Sequence, residues 1–125
     1  MQDDAVPGGS FWQPRLFSVG EANALVPRML EIFAAVRAEL EAARREGRDP
    51  EERVLPLLTE IAEAGVEVKA IDGLVDFRSR MGEEIVYLCW KFPETSITHW
   101  HSLSGGFGGR QPIASPDAFE GDLLQ

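Results

Sequence analysis

The fold is decided by residues 74–101, which read LVDFRSRMGEEIVYLCWKFPETSITHWH. Apolar and polar side chains alternate along most of this stretch, as they do in half-buried β-strands. Two turn signals divide it, one at Met81-Gly82 and one at Pro93 to Thr95. The pattern predicts three strands, at about 74–80, 83–92 and 96–102, and the alternating segment 66–71 adds a fourth before them.

The predicted sheet has two unlike faces, because successive side chains of a strand point to opposite sides. A turn at Met81-Gly82 pairs Arg80 with Glu83, and a turn at 93–95 pairs Leu88 with Trp100. One face is then wholly apolar and is expected to pack on helices; it carries Val75, Phe77, Val86, Leu88, Trp90 and Trp100. The opposite, polar face carries Asp76, Arg78, Tyr87, Cys89, Lys91, His99 and His101, with Leu74, Ile85 and Ile97 among them.

A long helix is predicted before the sheet. Ser18 and Glu21 fit a capping box at its start, and Gly47 suits a left-handed cap after about Glu46. Its apolar positions step alternately by four and three residues, which is a heptad spacing. These positions are Ala22, Val26, Met29, Phe33, Val36, Leu40 and Ala43.

A second, shorter helix follows after a brief link. Asp49 is expected to be its N-cap with Pro50 at the first helical position, and Gly65 is expected to end it. The short link predicts an antiparallel helical hairpin. The fold class is therefore α+β, with one long and one shorter helix packed on a roughly four-stranded, mainly antiparallel sheet.

The chain is expected to form one domain with two tails. Residues 1–15 read as a flexible lead, with Phe11 and Trp12 as anchors onto the parent domain or a partner subunit. The single α+β domain is placed at 16–113. Residues 114–125 are acidic and weakly patterned, so they are expected to be a poorly ordered tail.

Composition narrows the classes of partner and compartment. A formal net charge of -9 repels phosphate backbones, so binding to nucleic acid or to an anionic membrane is not expected. A single cysteine allows no internal disulfide and favours a reducing compartment. There is no signal-peptide pattern and no apolar run near the ~20 residues that cross a bilayer. The expected location is cytoplasmic.

The polar face admits three readings. It is solvated, or covered by a second subunit or the glycine-rich loop 103–110, or it binds a ligand. For a divalent transition metal the candidate ligands are His99, His101 and Cys89, because a His-x-His pair places two rings on one strand face; Asp76 is an alternative third donor. For a small molecule the candidate residues are Asp76, Arg78, Tyr87, Lys91 and Arg110.

Nucleophilic catalysis is a narrower version of the third reading. It would need Cys89 activated by His99, with Asp76 orienting the ring. No oxyanion hole is evident beyond the amides of the loop 105–109, and that loop lacks the Lys-Ser/Thr of a phosphate-binding loop. No catalytic residue is therefore assigned.

Six short motifs together resemble one protein family. They are FSxxEANxLxP at 17–27, GVEVK at 65–69, GLVDF at 73–77, VYLCWK at 86–91, HWH at 99–101 and GFxGRxPI at 106–113. The chain resembles DUF2203, a bacterial family of unknown function, over about residues 16–113. The resemblance implies a small bacterial cytoplasmic protein and brings no activity.

Two hypotheses of function follow. The first is a non-enzymatic interaction or assembly protein that acts as a homodimer, because the heptad helix offers more apolar surface than one small sheet can cover. The alternative is a metal- or small-ligand-binding protein, hydrolases included, with its site on the polar face around His99 and His101.

Overall fold

The computed structural model describes residues 15–122, and its two helices precede the sheet. The helices are α1 (Val19–Glu46) and α2 (Glu51–Glu63). The strands are β1 (Glu67–Ala70), β2 (Leu74–Met81), β3 (Glu84–Lys91), β4 (His99–Ser102), β5 (Gln111–Pro112) and β6 (Phe119–Glu120). The α+β class is confirmed, with six strands in place of roughly four. Within the described residues, no helix is both long and apolar enough to cross a membrane.

Helix α1 has the ends that the sequence predicts. The Ser18 hydroxyl accepts a hydrogen bond from the Glu21 amide at 3.1 Å, and the Glu21 carboxylate accepts one from the Ser18 amide at 2.8 Å. Gly47 caps the other end in the left-handed conformation, with φ 68°. In α2 the predicted N-cap is displaced by one residue. Pro50 holds that position, while the Asp49 carboxylate accepts from the amide of Glu51 at 2.9 Å.

The sheet is antiparallel in the order β1-β2-β3-β4-β5, with β6 also paired to β2. Strands β2 and β3 do not have the predicted register, because Arg80 lies opposite Ile85 and not Glu83. The turn lies one residue later than predicted, and Gly82 adopts φ 66° in it. Every partner therefore shifts by two residues, which leaves each side chain on its predicted face. The predicted pairing of Leu88 with Trp100 is confirmed.

The apolar face packs on α1. The Trp90 ring centroid lies 5.8 Å from that of Phe33 in the helix, and Phe77 lies 5.1 Å from Phe17. Trp100 is half-buried at the margin of this core. The predicted position of Ile97 on the polar face is wrong. β4 begins only at His99, and Ile97 is buried in the apolar core.

The heptad stripe of α1 is covered within the chain. Of its seven apolar positions only Leu40 is half-buried, and the other six are buried. Most of the stripe therefore packs on the chain's own sheet and second helix. The homodimer expected from the stripe stays a prediction.

The end of the described chain is anchored, contrary to the tail predicted from residue 114. Phe119 and Glu120 pair with Met81 and Arg80 at one edge of β2. The Phe119 side chain is buried, with its ring centroid 6.0 Å from that of Trp100. The predicted anchors Phe11 and Trp12 lie outside the described residues.

Candidate metal centre

Three buried side chains converge on the polar face of the sheet. Asp76 comes from β2, Cys89 from β3 and His101 from β4. Each offers one donor atom, and the three donor atoms lie within 4.8 Å of one another. Within residues 15–122 this is the one cluster of three or more such donors. We call it the Asp-Cys-His cluster.

The small middle residue makes this convergence possible. Neighbouring strands are about 4.8 Å apart, so β2 and β4, on either side of β3, are separated by roughly 10 Å. Cys89 lies between them, directly opposite Asp76. His101 lies opposite Tyr87 on β3 and reaches diagonally past the short Cys89 side chain, so that its Nε2 atom lies 3.0 Å from Oδ1 of Asp76. A large side chain at position 89 would occupy this path.

The hydrogen bonds of His101 fix its tautomer. Its Nδ1 atom lies 2.7 Å from the carbonyl oxygen of Ser102, which can only accept, so Nδ1 carries a proton. Nε2 then faces a carboxyl oxygen of Asp76, and this contact needs a second proton between the two atoms. Burial raises the pKa of Asp76, although the hydrogen bond with His101 opposes the effect. The gap between Asp76 and His101 is therefore a place for a proton or for a metal cation.

Cys89 is a protonated thiol in this environment. Burial, together with the negative charge of Asp76, raises the pKa of the Cys89 thiol to about 12. Nucleophilic catalysis would need Cys89 activated by His99, but the described residues show no hydrogen bond between the two, and the Nδ1 atom of His99 bonds to the Thr98 hydroxyl at 2.8 Å. Cys89 has the character of a buried structural thiol or a metal ligand, not of a nucleophile.

The structure brings together two of the three predicted metal ligands. His101 and Cys89 belong to the cluster, whereas His99 does not. Asp76, predicted chiefly as a small-molecule contact, supplies the third donor atom. The two histidines share a strand face, but only His101 turns its ring across β3.

A second polar network lies beside the cluster and is centred on Glu67 of β1. Its carboxylate accepts from the Tyr87 hydroxyl at 3.0 Å and pairs with Lys69 at 3.0 Å and Arg78 at 3.3 Å. Although burial opposes it, hydrogen bonds from Lys69 and Tyr87 hold the pKa of Glu67 below its usual range. Glu67 was not among the site residues predicted from the sequence. Assigning β1 to the sheet faces would have found it, since Glu67 lies directly opposite Asp76.

The remaining predicted contacts lie at the rim. Arg110 donates to the Glu94 carboxylate at 3.0 Å, and its guanidinium carbon lies 4.6 Å from the centroid of the Phe107 ring. The other carboxylate oxygen of Glu94 accepts from the backbone amide of Lys91 at 2.8 Å. The Lys91 side chain is exposed and is not a member of the cluster. Arg110 is therefore held at the edge of the polar face, next to β4.

The cluster has the donor set of a borderline transition metal. Imidazole nitrogen, thiolate sulfur and carboxylate oxygen all bind Zn²⁺, at about 2.0–2.3 Å, which puts the donors of a tetrahedral site roughly 3.3–3.6 Å apart. Asp76 and His101 already approach to 3.0 Å. A metal-bound histidine usually donates its other ring N–H to a carbonyl or carboxylate, as His101 does to Ser102. The residues present fit such an ion.

Fold and cluster together define a class: a small α+β protein with a buried Asp-Cys-His cluster on one sheet face. A family model described as "Uncharacterized conserved protein (DUF2203)" matches residues 40–113, which include all three cluster residues. The match covers more than half of the chain, and the chain belongs to this family. Neither a curated protein nor a solved structure matches it.

Proposed function

We propose that this protein binds a divalent transition metal through Asp76, Cys89 and His101. The observation that carries the proposal is the contact between Nε2 of His101 and Oδ1 of Asp76, made while Nδ1 donates to a carbonyl. This arrangement points Nε2 of His101 at a carboxyl oxygen of Asp76, with a sulfur atom beside both, so that a metal cation could replace the proton between them. A cation in this position would satisfy all three donors at once.

Charge balance supports the same proposal. Carboxylate and thiolate are both expensive to bury alone, and burial accordingly raises the pKa of Asp76 and of Cys89. A divalent ion neutralises the two anions and displaces their protons, as metal binding to cysteine does elsewhere. The metal would supply Lewis acidity, while the three side chains would hold and orient it.

The donor set favours one group of metals. Mg²⁺ and Ca²⁺ prefer oxygen ligands, whereas mixed nitrogen and sulfur donors suit Zn²⁺, Co²⁺, Ni²⁺ and Fe²⁺. Three protein ligands leave at least one coordination position open, as in metal sites that bind a further ligand. Zinc is the first metal to test.

The test is a zinc titration of metal-free protein purified without a histidine tag, in competition with a chromophoric chelator. One equivalent of zinc is expected to bind. His101→Ala and Cys89→Ser are each expected to weaken binding by 10-fold or more, in line with the ~10–100-fold cost of losing supporting groups at metal sites.

His99→Ala is the matched control, because it removes the other histidine of the same strand face. It should bind zinc as the unchanged protein does. The proposal fails if the cluster variants keep the original affinity, or if His99→Ala loses zinc as completely as His101→Ala.

Homodimerisation is a second candidate function, and a different surface favours it. Leu55 of α2 and Ile71 after β1 are 54% and 51% exposed, and both line one groove with Leu40 and Leu58. Such an exposed apolar patch is a common basis for association between subunits.

Leu55→Lys would place a charge in the groove and is expected to convert a dimer to a monomer. Analytical ultracentrifugation of both proteins measures this. A protein that is monomeric without the substitution excludes the dimer.

No activity is assigned to the metal. The cytoplasmic location expected from the sequence and the bacterial origin implied by the family resemblance stay predictions.

A further inference from the structure

An arginine with unused hydrogen-bonding capacity lies at the edge of the Asp-Cys-His cluster. β5 pairs with β4 so that His99 lies opposite Pro112 and Trp100 opposite Gln111. Continuing this register brings Arg110 alongside His101, on the polar face. The Arg110 side chain is only 15% exposed, so its charge is largely withdrawn from water.

The hydrogen bonds of Arg110 leave one buried donor unused. One terminal nitrogen donates to Glu94 at 3.0 Å, but the Nε atom is buried and has no acceptor among the described residues. Buried donors are almost always paired, so an unpaired one is a reason to look for a missing acceptor. A guanidinium presents its N–H groups as a planar fork that fits a carboxylate or phosphate.

We propose that Arg110 holds a small oxyanion, a carboxylate or a phosphate, beside the metal bound by Asp76, Cys89 and His101. This inference rests on the proposed metal site, since the open coordination position of the metal would take one oxygen of the anion. Arg110 would take another oxygen through Nε. Glu94 keeps the guanidinium in place through its own bond to the backbone of Lys91.

The surroundings agree with an anion and not with a cation at this position. The divalent metal would cancel the negative charges of Asp76 and Cys89, and the Glu94 carboxylate pairs with the Arg110 guanidinium at 3.0 Å. The Nε–H of Arg110 has no partner among the described residues, and it is a donor that can bind an anion but not a cation. The half-buried His99 and the partly exposed Arg110 mark the side from which it would reach the metal.

The test uses cobalt-loaded full-length protein, freed of excess metal and titrated with acetate or inorganic phosphate. The visible spectrum of Co²⁺ reports its coordination, and a sulfur-to-cobalt charge-transfer band reports Cys89. At least one anion is expected to change the spectrum with saturation. Arg110→Gln should lower the affinity for that anion by ~10-fold or more, because the charged guanidinium fork is lost. The variant should still bind cobalt. Which anion saturates the change distinguishes a carboxylate from a phosphate site.

Arg80→Gln is the matched control, since Arg80 pairs with Glu120 on the same sheet much as Arg110 pairs with Glu94. It should behave as the unchanged protein. Arg110→Lys keeps the positive charge but lacks the planar guanidinium, so it should also lower the affinity for the anion. Cobalt binding with no effect of either anion, or with equal affinity in Arg110→Gln, overturns the oxyanion site and leaves the metal site standing. Absence of the sulfur-to-cobalt band overturns both.

Discussion

The two faces of one sheet are built from alternate residues of the same strands, yet they are buried for different reasons. On the apolar face Trp90 and Leu88 are fully buried, and apolar contact area stabilises both, with one hydrogen bond from the Trp90 indole to the Glu94 carbonyl. On the polar face Asp76 and His101 are nearly as buried, at 5% and 2% exposure, but each depends on a specific partner. An apolar side chain on the first face can be exchanged for another of similar size, whereas a buried polar side chain on the second face is stable only while its partner is present.

The largest effect is expected on the apolar face. Trp90→Ala removes a fully buried ring that packs on Phe33 and donates to the carbonyl of Glu94. It should lower the free energy of unfolding by about 3–5 kcal/mol, as large core truncations do. Urea denaturation measures this. Trp100→Ala, at a half-buried ring on the same face, should cost less. A near-unchanged stability of Trp90→Ala would mean that the two faces are exchanged.

In metal-free protein, substitutions in the Asp-Cys-His cluster should lower the free energy of unfolding by less, and their effects should not be additive. Asp76→Ala leaves Nε2 of His101 buried without a partner, at a cost of about 2 kcal/mol. The double substitution Asp76→Ala with His101→Ala removes both partners. It should cost less than the two single changes added together, by about 1 kcal/mol or more. Denaturation of all four proteins closes the cycle. Strict additivity would show that the two side chains do not depend on each other.

The Glu67 network should contribute less again. Tyr87→Phe deletes the hydroxyl that donates to Glu67 and should cost about 1 kcal/mol at neutral pH. The pKa of Glu67 is lowered in the folded protein, so the stability it contributes is present above the unfolded pKa of about 4.3 and is lost as pH falls through the folded value. The difference between the two proteins should therefore shrink in acid. A difference that grows below pH 4 would contradict this assignment.

The smallest effect is expected at His99, which shares a strand and a face with His101. His99 is half-buried and bonds only to the neighbouring Thr98 side chain among the described residues. His99→Ala should change the free energy of unfolding by less than about 0.5 kcal/mol. Thermal denaturation of His99→Ala and His101→Ala, each compared with the unchanged protein, measures the difference in their stability losses. Equal losses from both would show that the polar face has no distinct centre.

The features that depend on a local sequence pattern could be predicted from the sequence. Ser18, Glu21 and Gly47 define the ends of α1 by local hydrogen bonding and backbone conformation, so they could be predicted. Alternation assigned nearly every strand residue to its face. The assignment survived a register error of two residues, because side chains repeat with a period of two.

The features that were missed depend on distant contacts. Strands β5 and β6 are two residues long, too short for any alternation to show. The contact between Asp76 and His101 crosses an intervening strand, so no pairing rule for neighbouring strands predicts it. Ile97 belongs to the core because β4 starts late, and its amide bonds to the Asn23 side chain at 2.7 Å, a partner on α1.

The most direct test of the metal site is X-ray absorption spectroscopy of zinc-loaded protein at the zinc edge. The account predicts one sulfur ligand at about 2.3 Å and nitrogen or oxygen ligands at about 2.0–2.2 Å, with the sulfur contribution absent in Cys89→Ser. A zinc ion bound by nitrogen and oxygen alone in the unchanged protein would place the metal elsewhere. That result would contradict the proposed role of the Asp-Cys-His cluster.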